Sequence, residues 1–206
     1  MNKQIIHIAI AHIDDEHSSQ AIDEDSYIAS IKEPKRKKES LVARTLLNEL
    51  SIGYYGKNLN TLNFRKTPQG QPILDSGCCS ISHSNGWVMV GLSTLPLGID
   101  IERFQDKEID ALAVAFDENT WRTIKANPQL VMEEFSAKEA ISKLRGTGFT
   151  MEPKEIILNT NEQMWHRWIE FSPGETYVLS ICSRLKPEIH FESSNNLCML
   201  VNTYEN

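Results

Sequence analysis

Residues 5–13 are apolar and largely β-branched apart from two histidines, which predicts a first strand. A polar, acidic stretch over 14–25 follows and reads as a loop or helix start. Leu41, Val42, Leu46, Leu47 and Leu50 then recur at three- and four-residue spacing. That spacing predicts an amphipathic helix over 39–50, with Arg44 inside it and Ser51-Ile52-Gly53 ending it. Before this helix, Lys32 to Lys38 is a basic run interrupted by Pro34. Thr67-Pro68-Gln69-Gly70-Gln71-Pro72 is turn chemistry, because proline fixes φ and glycine supplies positive φ. Residues 80–84 alternate polar and apolar and lead into Asn85-Gly86, a hairpin signal, after which 87–93 and 97–104 read as strands joined through Pro96. The period changes to helical at Asp117, a capping residue. Asn127-Pro128 interrupts the pattern, and 129–145 resumes it until Gly146 and Gly148. Strand candidates close the chain at 156–158, 165–171, 177–183 and 197–203.

Residues 87–93 and 177–183 resemble each other, and a proline follows each shortly afterwards. This echo favours two similar halves over one continuous sheet. We place them at 1–104 and 105–206, the expected architecture being α+β.

Charge and composition narrow the class of function. The chain has 206 residues and a formal net charge of −7, so a general nucleic-acid binder, which needs surplus Lys and Arg, is not expected. No apolar run approaches the ~20 residues of a membrane span, and the first residues lack a signal-peptide pattern. Cys78, Cys79, Cys182 and Cys198 form no paired C-x-x-C, so they read as small buried thiols in a reducing, cytoplasmic setting.

Three segments carry candidate chemistry. In Gly98-Ile99-Asp100-Ile101-Glu102 the two carboxylates share one strand face. They form either a solvated acidic face or a pair of hard oxygen ligands for Mg²⁺. In Phe135-Ser136-Ala137-Lys138-Glu139-Ala140-Ile141-Ser142-Lys143, Glu139 and Lys143 share a helix face. They form a surface salt bridge or set a third carboxylate beside a cation, the groups that a phosphoryl displacement uses. His83, between Ser82 and Ser84, is a structural donor or a phosphate contact.

The three segments in this order, with Gly146-Thr147-Gly148-Phe149 after them, resemble the 4′-phosphopantetheinyl transferase superfamily. They are closest to its longer monomeric type, which activates peptide and polyketide synthases. The resemblance covers roughly residues 35–150 and the strand at 177–183. It implies two pseudo-symmetric halves, each a small antiparallel sheet packed on a long helix, with the active site in the cleft between them. It implies a holo-[acyl-carrier-protein] synthase type of reaction: transfer of 4′-phosphopantetheine from coenzyme A to a serine of an apo acyl or peptidyl carrier protein, leaving adenosine 3′,5′-bisphosphate. By the same resemblance, Asp100, Glu102 and Glu139 hold Mg²⁺, and Glu139 is a candidate base for the serine hydroxyl. Lys143 contacts the diphosphate with Lys138 close by, while Arg44, Ser82 and His83 contact the nucleotide phosphates.

The family's G-[KR]-P turn is Gly70-Gln71-Pro72 here, so a cation is missing at Gln71, and Lys66 is the neighbour placed to compensate. The run Lys35-Arg36-Lys37-Lys38 is either a solvated helix start, a contact to the 3′-phosphate of coenzyme A, or a docking patch for an acidic carrier. Two rival readings are a non-catalytic carrier-binding module of the same fold and an Mg²⁺-dependent hydrolase of nucleotide pyrophosphates.

Overall fold

A computed structural model describes residues 3–15, 26–67, 70–147 and 151–192. Glu16 to Asp25, Pro68, Gln69, Gly148, Phe149, Cys198 and the strand expected at 197–203 lie outside the described residues. Strand β1 (Gln4–His12) is followed by a short helix α1 (Ser26–Ser30) and the long helix α2 (Pro34–Tyr55). A small hairpin, β2 (Arg65–Lys66) and β3 (Pro72–Ile73), leads to β4 (Cys78–Ser84), β5 (Trp87–Ser93) and β6 (Leu97–Arg103). A 3-10 segment (Asp106–Ala115), α3 (Glu118–Ile124) and α4 (Pro128–Arg145) come next, and β7 (Gln163–Ser172), β8 (Glu175–Ser183) and β9 (Pro187–Phe191) complete the described chain.

The prolines that interrupt the basic and helical patterns are helix starts. Pro34 and Pro128 occupy the first turns of α2 and α4, where the missing N–H costs nothing. Each follows a capping side chain: Glu33 accepts from the N–H groups of Lys35 and Arg36, and Asn127 accepts from that of Leu130. Helix α2 therefore begins earlier than its apolar spacing indicates. It also runs on through Gly53 to Gly56, which takes φ 64° and returns its N–H to the carbonyl of Ile52, while the Lys57 N–H reaches that of Ser51. Asp117 caps α3, as expected, and Gly146 closes α4 at φ 67°.

The strands form two main sheets, one ordered β4-β5-β1-β9 and the other β6-β8-β7. All pairings are antiparallel except β1 with β9, which is parallel. The echoing segments are β5 and β8, each the inner strand between two neighbours. The 97–104 strand, grouped by sequence with the first half, hydrogen-bonds into the second sheet, and β9 crosses back to the first. Residues 156–158 are not a strand, because α4 takes their carbonyls: Lys138 donates to Ile156 and Arg145 to Ile157.

Successive side chains point to opposite faces, and the inner strands are buried at successive positions, so each sheet packs on both faces in a four-layer stack. Ile6, Ile8 and Ile10 of β1 pack against Ile99, Ile101, Leu179 and Ile181 of the second sheet. Ala9 and Ala11, on the other side of β1, meet Val42, Leu46, Leu47 and Leu50 of α2. Ala140, Ile141 and Leu144 of α4 cover the outer face of the second sheet at Cys182. The order is thus helix, sheet, sheet, helix. Buried Gln4 ties the two sheets at one end. Its amide donates to the carbonyls of Leu95 and Pro96, and its oxygen accepts from the N–H groups of Arg184 and Leu185.

Candidate active site

At their other join the sheets meet through side chains instead of a backbone ladder. The N–H groups of Ile99, Ile101 and Arg103 on β6 donate to the hydroxyls of Ser80, Ser82 and Ser84 on β4, at 3.2, 3.3 and 3.2 Å. Equal steps of two residues along both strands mean that they run side by side in the same direction. The alternation over 80–84 therefore aims three serines at β6, and it sets Cys79 and Ile81 towards the α2 core.

Gly98, Asp100 and Glu102 project from the opposite face of β6 to Ile99 and Ile101, towards α4. A Cβ on Gly98 would stand 1.9 Å from the carbonyl oxygen of Ala140 and 2.4 Å from the amide nitrogen of Leu144. Only glycine permits this approach of helix to strand, and the approach brings α4 side chains onto Asp100.

Asp100 is 2% exposed, and three side chains hold its carboxylate. Oδ1 accepts from Ser82 Oγ at 2.8 Å and from Lys143 Nζ at 2.7 Å, while Oδ2 accepts from Ser136 Oγ at 2.9 Å. Lys143 also donates to Ser82 Oγ at 2.8 Å. Two residues along, Ser84 donates to Glu102 Oε2 at 3.1 Å. Burial, then the neighbouring Asp100 and Glu139, push the Glu102 carboxyl up to about 8 against the pull of Ser84 and Lys143. Glu139 is raised by burial and by Asp100, with Lys143 opposing.

The three carboxyl groups thus act on one another although they come from two elements. Oxygen-only donors of concentrated negative charge fit a hard divalent cation such as Mg²⁺ by their chemistry. As the side chains stand, no group of three such residues among the described ones is gathered to hold a metal, and Lys143 neutralises Asp100 instead.

Glu139 and Lys143, one helical turn apart, line a cleft of about 410 Å³. Gly70, Gln71, Pro72, Cys79, Ser80 and Ile81 also line it, and Met151, Pro153 and Ile156 give it an apolar wall. The Gln71 amide lies where a Cβ on Gly146 would be, so the β2–β3 hairpin meets the end of α4.

The other expected site residues are placed as follows. His83 is half exposed, with Nδ1 3.4 Å from Glu39 Oε2. Desolvation lowers its pKa, with Lys143, Arg36 and Lys66 adding to the effect and Glu39 opposing. Arg44 is buried, its guanidinium 3.8 Å above the Phe64 ring. It is close enough to Cys79 to act on that thiol, but it is not among the residues that line the cleft. Lys138 faces away from the carboxylates and donates to the carbonyls of Pro153 and Ile156 at 3.1 and 2.7 Å, which pins the apolar wall. The Lys66 ammonium sits 4.2 Å from the Tyr27 ring, on the His83 side. Residue spacing alone assigns no role to the hydroxyls of Ser80, Ser84 and Ser136. The period-two serines over 80–84 were the available signal for the first two.

Residues 96–182 match the family model described as the 4′-phosphopantetheinyl transferase superfamily. The match runs from just before β6 to the end of β8 and takes in Asp100, Glu102, Glu139 and Lys143. The 4′-phosphopantetheinyl transferase gsp of Aneurinibacillus migulanus is 35% identical over 58% of this chain and 55% of its own length. A 4′-phosphopantetheinyl transferase of Bacillus subtilis is 25% identical over 78% of this chain and 85% of its own. The 4′-phosphopantetheinyl transferase psf-1 of Bacillus pumilus is 28% identical over 52% of each. The chain spans about half the length of the first and third of these relatives.

Proposed function

We propose that the chain is a member of the 4′-phosphopantetheinyl transferase superfamily, to whose family model residues 96–182 match, and that it moves the 4′-phosphopantetheine group of coenzyme A onto a serine of an apo acyl or peptidyl carrier protein. The observation that carries the reading is Glu139 and Lys143 on the wall of a cleft, next to a buried Asp100 that both of them sense. In the reaction the serine oxygen bonds to the β-phosphorus of coenzyme A and the bond to the bridging diphosphate oxygen breaks. Adenosine 3′,5′-bisphosphate leaves with the electron pair.

Glu139 receives the serine proton, and burial together with Asp100 makes it a stronger base than a solvated glutamate. Lys143 offsets charge on the diphosphate, for which its ammonium turns from Asp100 into the cleft that it lines. Asp100, Glu102 and Glu139 would hold Mg²⁺, which when bound supplies further positive charge to the diphosphate. His83, with Ser82 beside it, serves the nucleotide phosphates, and Gln71 offers an uncharged donor. Arg44 acts from behind the cleft through its packing on Phe64, and Lys138 keeps the apolar wall in place to exclude water.

Among the described residues no helix is long and apolar enough to cross a membrane. A cytoplasmic enzyme working as a monomer, both walls of its cleft supplied by one chain, completes the proposal.

Incubation with coenzyme A, Mg²⁺ and a panel of apo carrier proteins, read by mass, tests it. A carrier gaining one phosphopantetheine is the expected result, lost on Asp100→Ala or Glu139→Ala. Wild-type rates in either variant at saturating Mg²⁺ reject the site. Carrier-independent breakdown of coenzyme A indicates a hydrolase, and carrier binding without a mass change indicates a non-catalytic module.

A further inference from the structure

We propose that Ser136 is a positioning residue that sets the plane of the Asp100 carboxylate for cation binding, an inference that rests on the reading of Asp100 as a metal ligand. Ser136 is fully buried in the middle of α4. A serine there ordinarily turns its hydroxyl back to the carbonyl one turn earlier or out to water. This one instead donates its proton across the helix–strand interface to Asp100 Oδ2.

The torsion that orients an aspartate carboxyl is broad and roughly two-fold, so the backbone of β6 fixes where Asp100 starts but not how its oxygens face. Water does not settle the matter, since Asp100 is 2% exposed. Both other donors, Ser82 and Lys143, reach Oδ1. One of them, Lys143, is the group that must leave for the phosphates in the proposed reaction. Among the described residues Ser136 is then the one donor to Oδ2, and with Ser82 it keeps the carboxyl plane from turning once the ammonium has gone. Gly98 is part of the same arrangement, because the close approach that it allows brings Ser136 within 2.9 Å of the carboxylate.

Three variants separate positioning from simple support of the fold. Ser136→Cys keeps the volume but has only a weak donor, Ser136→Ala has none, and Ser136→Thr keeps a hydroxyl. Mn²⁺ and Mg²⁺ affinity of the protein without coenzyme A is measured by calorimetry, alongside kcat and KM for coenzyme A and urea unfolding midpoints. We expect cation affinity and kcat to fall about tenfold or more in the Cys and Ala variants, the usual range when a partner of a ligand is removed, and to return in the Thr variant. At saturating cation the KM for coenzyme A stays at its wild-type value, because Ser136 is not among the residues that line the cleft. Unchanged cation affinity in folded Ser136→Cys and Ser136→Ala overturns the positioning role while the metal reading survives. A wild-type protein that binds neither cation, with or without coenzyme A, overturns both.

Discussion

Replacing Gly98 by alanine probes the glycine with the least room for a side chain among the described residues. The new methyl would meet the Ala140 carbonyl oxygen at 1.9 Å, where ordinary contact begins at 3.4 Å, a shortfall of about 1.5 Å. Both of the nearest atoms are helix backbone, so no rotamer change relieves the overlap and α4 must retreat from β6 as a body. The retreat carries Ser136 and Lys143 with it. Their 2.9 and 2.7 Å bonds to Asp100 would stretch beyond the ~3.2 Å limit of a useful hydrogen bond. Overpacking of this kind costs about 3 kcal/mol, the upper part of the usual range. Misplacement by an ångström or more costs about a hundredfold in turnover. Urea unfolding and carrier phosphopantetheinylation by mass measure the two effects. Gly91→Ala is the control: the nearest atoms to its Cβ would be side-chain methyls of Leu97, Ile8 and Ile99, at 2.9 to 3.2 Å, on the face of the core away from α4. Its stability falls less and its turnover is kept. A Gly98→Ala protein within about 0.5 kcal/mol of wild type and fully active would refute the close-approach argument.

Two more predictions concern the surroundings of the site. Ser80→Ala removes the acceptor of the Ile99 N–H, and a buried unpaired donor costs about 1–3 kcal/mol, so the urea midpoint should drop accordingly; no drop would mean that water or another group serves that amide. Glu162 is buried and takes hydrogen bonds from Arg145, which hold its carboxyl below the usual carboxylate range. A depressed folded pKa contributes stability that is complete above about pH 4.5 and is lost as the pH falls through the folded value. The gap in unfolding free energy between wild type and Glu162→Gln should therefore be full at pH 7 and narrow on acidification. A gap that is the same at pH 3 contradicts an ionised Glu162.

What could be read from the chain beforehand follows from range. Asp100 and Glu102 two apart on a strand, and Glu139 and Lys143 four apart on a helix, are local spacings, and each predicts a shared face that the structure shows. The inner strands β5 and β8 were legible as an echo because each is shielded on both faces and so carries a dense apolar pattern. Partners at long range were not legible. Nothing in residues 97–103 says that they pair with β8 and not with β5, since any alternating strand would serve either. Strand β9, with Glu188 and His190 among its five residues, lacks the β-branched run that marked β1. The 3-10 segment over 106–115 has no 3.6-residue period to betray it. Within the site, the hydroxyl of Ser136 and the direction of Lys138 depend on what the helix face meets, and a residue's type does not disclose that.

The row of serine hydroxyls along β4 also bears on solubility. Strand β6 ends its sheet, and an end strand with bare N–H groups is a template on which a strand from another molecule can polymerise. Hydroxyls occupy three such groups here, at Ile99, Ile101 and Arg103. The protein is thereby shielded from fibril-like association along this border by neutral side chains of its own neighbouring strand.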